Sequence, residues 1–172
     1  YQFRISFGTS KSTNMKTIST LFVTLMLMFI TAQAQNVKTY TVSSGKTWSA
    51  AGIPTNCVNC SIEIADGAVL TLDKDVTLQN PSFTGGTISM TDKTMTLHTS
   101  GNRQSYFKNT NVTANGASVI MGSAPVIIAN STFTFYGTSK FNPQQLFDLT
   151  STKMYFYGDS YLYTTGGPVN LK

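Results

Sequence analysis

Two stretches of the chain spell nearly the same pattern, and this echo restricts the fold more than any other feature. ADGAVLTLDKDVTLQNPSFTGGT begins at Ala65 and ANGASVIMGSAPVIIANSTFTFYGT at Ala114. Gly116 follows Gly67 by 49 residues, and Asn130 follows Asn80, as Phe133 follows Phe83, by 50, so the register survives across three anchor points. Self-similarity at a fixed offset points to stacked repeats rather than to a compact single-core enzyme.

From Val37 onward, apolar residues recur with period two in short bursts such as Ile62/Ile64, Leu70/Leu72, Val76/Leu78, Met95/Leu97 and Val126/Ile128. Turn formers separate them: Asp66-Gly67, Gly85-Gly86, Ser100-Gly101-Asn102, Asn115-Gly116 and Gly166-Gly167-Pro168. No stretch after residue 34 sustains a helical apolar period, so the pattern predicts an all-β protein. A β-sandwich and a single-stranded parallel β-helix both accommodate many short strands. The sandwich gives no reason for the echo, whereas a β-solenoid with coils of roughly 25 residues fits two coils into each offset. Phe83, Phe107 and Phe133, spaced by 24 and 26, then stand as one inward aromatic per coil in a single column. A stack of this kind needs its first coil shielded. Residues 36–60, with Tyr40, Val42, Trp48 and Ile53, read as that N-terminal cap, and 61–172 as the coils.

These segments, Ile62 to Ile64, Asp66 to Leu72, Val76 to Asn80 and Phe83 to Ile88, resemble right-handed parallel β-helix proteins of the pectate-lyase-like type. They are more similar still to exported bacterial surface proteins that carry such helices behind a signal peptide. The resemblance is architectural; it implies a right-handed helix and brings no catalytic signature with it.

The N-terminal region bears on export. Met15-Lys16, an apolar run from Ile18 to Ile30, and Thr31-Ala32-Gln33-Ala34 form the three parts of a secretory signal peptide over residues 15–34. Cleavage is expected after Ala34, with secretion or display at the outer cell surface. The run is short for roughly 30 Å of hydrocarbon and is followed at once by polar residues, so no transmembrane segment is expected in the mature chain. Residues 1–14 read as an upstream extension. Val169-Asn170-Leu171 starts like a strand that Lys172 cuts short, which predicts a fragment whose C-terminal domain is missing. Of the 12 Lys and Arg, three (Arg4, Lys11 and Lys16) precede the cleavage point, leaving nine against seven Asp and Glu. That balance, scattered along the chain, offers no nucleic-acid footprint.

The side chains that could do chemistry are few. Cys57-Val-Asn-Cys60 is the only cysteine pair, and His98 the only histidine, so a four-ligand zinc site lacks its second half. A strand rather than a helix follows Cys60, unlike a thioredoxin-like motif. A short disulfide between Cys57 and Cys60, clipping the cap to the first coil, is the expected role in an oxidising setting. Asp73-Lys74-Asp75 could suggest Ca²⁺ ligation of the kind the resembled lyases use. Gly122-Ser-Ala stands at the equivalent point of the echo, so these aspartates read as a solvated turn. Arg103 reads as a loop residue, and His98 has no identifiable partner. Thr39/Thr41, Thr94/Thr96 and Thr132/Thr134 follow no common period and read as ordinary outward strand positions. We expect no catalytic residues, cofactor or metal.

Tyr155, Tyr157, Tyr161 and Tyr163 are the remaining candidates. If Met154, Phe156 and Leu162 point inward, strand alternation sets these four rings outside, where they could stack on the faces of a polysaccharide or cell-surface glycan. The function expected is a non-enzymatic, structural or adhesive exported solenoid. A carbohydrate-binding module is the next reading, and the N-terminal part of a polysaccharide lyase or hydrolase with catalytic coils beyond residue 172 the last.

Overall fold

The structure, a computed structural model, describes residues 37–99, 103–143, 147–163 and 169–171, the last group and Phe147 as backbone only. The expected signal peptide and upstream extension lie outside the described residues. Among those described, the chain holds 19 strands and no helix. They run in chain order as β1 (Lys38–Val42), β2 (Lys46–Thr47), β3 (Asn56–Val58), β4 (Cys60–Ile64), β5 (Val69–Leu72), β6 (Val76–Gln79), β7 (Ser82–Thr84), β8 (Thr87–Thr91) and β9 (Thr94–His98). There follow β10 (Ser105–Lys108), β11 (Asn111–Asn115), β12 (Val119–Gly122), β13 (Val126–Ala129), β14 (Thr132–Phe135), β15 (Lys140–Pro143), β16 (Phe147–Thr150), β17 (Lys153–Phe156), β18 (Tyr161–Leu162) and β19 (Val169–Leu171).

Every third strand joins the same parallel sheet. Sheet A is β1-β4-β7-β10-β13-β16-β19; sheet B runs from β2 to β17 and sheet C from β3 to β18 in the same steps of three. The result is a parallel β-solenoid of about six turns, with one strand per sheet in each turn, and the sandwich is excluded. Apolar positions of the period-two bursts point into the shaft: Ile62, Leu70, Leu78, Phe83, Ile88, Met95, Leu97 and Ile128 are all fully buried. Parallel pairing places inward residues above one another, as Leu70 with Ile88 and Leu78 with Leu97, so buried side chains pack between coils as well as across the shaft. Residues 38–58 make the first coil of these same sheets. Trp48 within it is fully buried, its indole N–H donating to Pro54 O at 3.3 Å.

The coil is shorter than the spacing of the phenylalanines suggests. Successive coils recur at roughly 21 residues; Phe107 pairs with Ile128, and Ile128 with Leu149. Phe83 and Phe107 do pair in sheet A, but Phe133 belongs to sheet B and pairs with Val112. The three rings are therefore no single column. Phe133 meets Phe107 edge-on across the shaft, centroids 5.2 Å apart and planes at 78°.

The echo has the same explanation. Gly67 lies between β4 and β5, at the A–B corner, whereas Gly116 lies between β11 and β12, at the B–C corner. Asn80 turns the C–A corner and Asn130 the A–B corner. The two copies are thus displaced by two coils and one further face. Their common unit is a strand with its corner, and both pairs hold the left-handed backbone: φ is +74° at Gly67 and +65° at Gly116, and +50° at both asparagines.

Corners are built from residues that tolerate that backbone. At the A–B corner Asn109, Asn130 and Ser151 have φ of 53°, 50° and 49°. The hydroxyl after each of them turns back on the chain: Thr110, Ser131 and Thr152 donate to the carbonyls of Lys108, Ala129 and Thr150 at 3.0, 2.8 and 3.1 Å. At the B–C corner Gly116, Gly137 and Gly158 sit above one another. A Cβ on Gly137 would lie 3.0 Å from the carbonyl oxygen of Gly116, so here the corner needs glycine for space as well as for φ.

Candidate functional site

Tyr155, Tyr157, Tyr161 and Tyr163 are between 41 and 51 % exposed, while Met154 and Phe156 pack against the core. Alternation along β17 accounts for that division. Leu162, expected inward, is 39 % exposed, because β18 is the last described strand of sheet C. The four tyrosines do not form one strip. Tyr155 and Tyr157 stand on sheet B and its corner, with near-parallel rings 6.4 Å apart, whereas Tyr161 and Tyr163 lie on and just after β18 in sheet C. Lys140 sets its ammonium over the Tyr161 ring at 5.4 Å.

Tyr136 joins the first pair and was not anticipated. It precedes Gly137 at the B–C corner as Tyr157 precedes Gly158 one coil on, and the two rings stack at 5.1 Å and 13°. The signal was legible as Phe-Tyr-Gly at residues 135–137 and again at 156–158. Behind the rings the corner is fixed by serine: Ser160 donates to the Tyr157 and Phe135 carbonyls at 2.9 and 3.1 Å, and Ser139 donates to Tyr136 O and, at 3.0 Å, to Ala114 O. The corner backbone under Tyr136 and Tyr157 is thereby tied by a serine hydroxyl in each coil.

The carboxylates face other tasks. Asp73 accepts from the Ser49 N–H at 3.1 Å in one neighbouring coil, and Asp75 from the Thr94 N–H at 2.8 Å in the other. Asp92 accepts from the Ala117 N–H at 2.8 Å. Hydrogen bonding from Ser49, side chain first, holds the Asp73 carboxyl below its ordinary value. The expected solvated turn at Asp73-Lys74-Asp75 is therefore also a clamp between coils. Among the described residues no group of three or more His, Cys, Asp or Glu could hold a metal ion.

Cys57 and Cys60 are joined, with Cα atoms 6.0 Å apart, closing the end of β3 onto the start of β4 across the C–A corner. His98, at the end of β9, has a partner the sequence did not reveal: its Nδ1 lies 2.9 Å from the Ser123 hydroxyl on the next coil. Arg103 is exposed, but it is more than a free loop residue, since its Nη1 donates to Asn59 Oδ1 at 3.2 Å across two coils. Thr39/Thr41, Thr94/Thr96 and Thr132/Thr134 fall on sheets A, C and B respectively, so they share no face.

Compared with known proteins, the chain matches no protein-family model, and no curated protein or solved structure is significantly similar to it. Among the described residues no helix is long and apolar enough to cross a membrane.

Proposed function

We propose that the protein is an exported, non-enzymatic β-solenoid, secreted or held at the outer cell surface, whose stiff shaft serves a structural or adhesive role. One observation carries this reading: Asp73, Asp75 and Asp92 are each engaged by a backbone N–H of a neighbouring coil. Carboxylates placed in this way hold coil to coil, which suits a rigid spacer; a lyase or hydrolase needs them converging on a substrate. The signal-peptide pattern at residues 15–34 and the resemblance to exported surface proteins of the pectate-lyase-like type support the location.

The stack of Tyr136 on Tyr157, flanked by Tyr155, favours a second reading within the first, in which sheet B contacts a polysaccharide or cell-surface glycan. Exposed, preorganised tyrosines offer ring area and a hydroxyl at low entropic cost. The test is to isolate the exported protein, sequence its N-terminus, and measure its retention on a polysaccharide panel beside the triple Tyr136→Ser, Tyr155→Ser, Tyr157→Ser variant. An N-terminus at Gln35 and lower retention of the variant are expected. A protein found only inside the cell sinks the exported role, equal retention removes the tyrosines, and release of new sugar ends or unsaturated products returns the enzyme reading.

A further inference from the structure

The C–A corner, on the other side of the molecule's sheets from the tyrosine row, carries an open surface cavity of about 350 Å³. It is lined by Asn59 and Asn80 from successive corners and by Arg103, Gln104 and Tyr106 from the approach to β10 and the strand itself. The two asparagines form a rung, Asn80 Nδ2 donating to Asn59 Oδ1 at 3.0 Å, with φ of 50° and 53° at the two positions. In the next coil the register of β4, β7 and β10 sets Gln104 level with the two asparagines. The guanidinium of Arg103, the residue before it, reaches back to the same oxygen of Asn59.

That bond uses one of the five donors a guanidinium carries and fixes the group against the corner. Gln104 reinforces the donor character of the cavity. Its Oε1 accepts from the Tyr106 hydroxyl at 2.9 Å, which fixes the oxygen toward Tyr106 and leaves the two N–H donors of the amide to offer. No acidic residue stands among the described residues lining the cavity. Beside the donors lies apolar surface: Val37 is 57 % exposed and Tyr106 42 %, and the Cys60 side of the disulfide closes the wall. A volume of this size falls within the range of small-molecule sites.

We propose that this cavity binds a carboxylate carried on a six-membered ring, the Arg103 fork taking the carboxylate and the Tyr106 ring packing against the body of the ligand. Planar forks and carboxylates match in geometry, and charge-assisted pairs are the strong ones. The site owes nothing to the tyrosine row, and losing Tyr136, Tyr155 or Tyr157 leaves it intact.

Calorimetric titration of the full chain with benzoate and D-glucuronate, against benzyl alcohol, glucose and sulfate, tests the assignment. At least one of the two carboxylates is expected to bind saturably, about tenfold or more tighter than its neutral counterpart and than sulfate. Benzoate alone would indicate a small aromatic acid, D-glucuronate alone an acidic sugar, and either supports the site. Arg103→Gln should weaken binding by about tenfold or more with an unchanged melting transition. Gln104→Glu, which sets a competing carboxylate beside the guanidinium, should do the same without touching the Asn59 contact. No saturable binding, equal binding of the neutral analogues, or affinity unmoved in both variants overturns the proposal.

Discussion

Phe83 and Phe107 lie one above the other in adjacent coils of sheet A, ring centroids 4.7 Å apart and planes within 16° of parallel. Both are buried, and Phe107 is also the ring that Phe133 meets from the neighbouring sheet. Phe107 therefore joins two coils and two faces at once. Truncation to Ala should cost about 3–5 kcal/mol, from lost burial plus the cavity left behind. Phe107→Leu should cost considerably less. Urea unfolding followed by circular dichroism measures both, and a loss below about 1 kcal/mol for Phe107→Ala would contradict the packing.

Gly67 and Gly137 separate two costs that a corner glycine can carry. Both have positive φ, +74° and +68°, but a Cβ at Gly67 meets nothing within 4 Å while one at Gly137 abuts Gly116. Gly67→Ala should lose about 1–2 kcal/mol from the left-handed backbone alone. Gly137→Ala should lose more. Equal melting temperatures for the two variants would mean that the glycine stack yields without strain.

Asp73 links stability to acid. Its carboxyl titrates lower in the folded chain than its ordinary 3.8, so folding favours the ionised form. The contribution is present above that ordinary value and disappears as pH falls through the folded one. Asp73→Asn should accordingly melt below the parent protein near neutrality, and the gap should close in strongly acidic buffer. A gap that stays constant from pH 6 to pH 2 would show that the Ser49 contact does not depend on charge.

Cys57 and Cys60 close a very small loop, so the entropic gain is slight, roughly 2 kcal/mol or less. The double variant Cys57→Ser, Cys60→Ser should stay folded with a modestly lowered melting temperature. Because Asn59 lies inside that loop and holds Arg103, the same variant should weaken any carboxylate bound at the C–A corner. Thiol titration of the unreduced folded protein should find no free sulfhydryl, and finding two would refute the bridge.

The strand pattern and the inward face were legible because period-two alternation is a local property: Ile62, Leu70, Leu78 and Ile88 stand out without knowledge of the fold. The coil length was not, because spacing varies between coils. Leu70 pairs with Ile88, 18 residues on, past the tight Gly85-Gly86 corner, whereas Leu97 pairs with Gly122, 25 residues on, with more residues separating β9 from β10. The even series Asn109, Asn130, Ser151 mixes residue types, so a search for identity passes over it. Tyrosine exposure followed from alternation, but the split of the four rings between sheets B and C depends on where the chain turns at Gly158. The partners of His98, Arg103 and the aspartates lie 19 to 44 residues away and across coils, where sequence proximity carries no information.

An offset of two coils and one face has a consequence for how such a shaft could diversify. A segment copied with that displacement keeps its inward residues inward but swings every outward side chain a third of the way around the axis. Copies made in this manner would scatter surface features to all compass points. Only a copy displaced by whole coils, such as the Phe-Tyr-Gly segment at 135–137 and 156–158, leaves its outward groups on one bearing. The C-terminal coils are thus the part of the molecule in which duplication by itself could lengthen a row of like side chains.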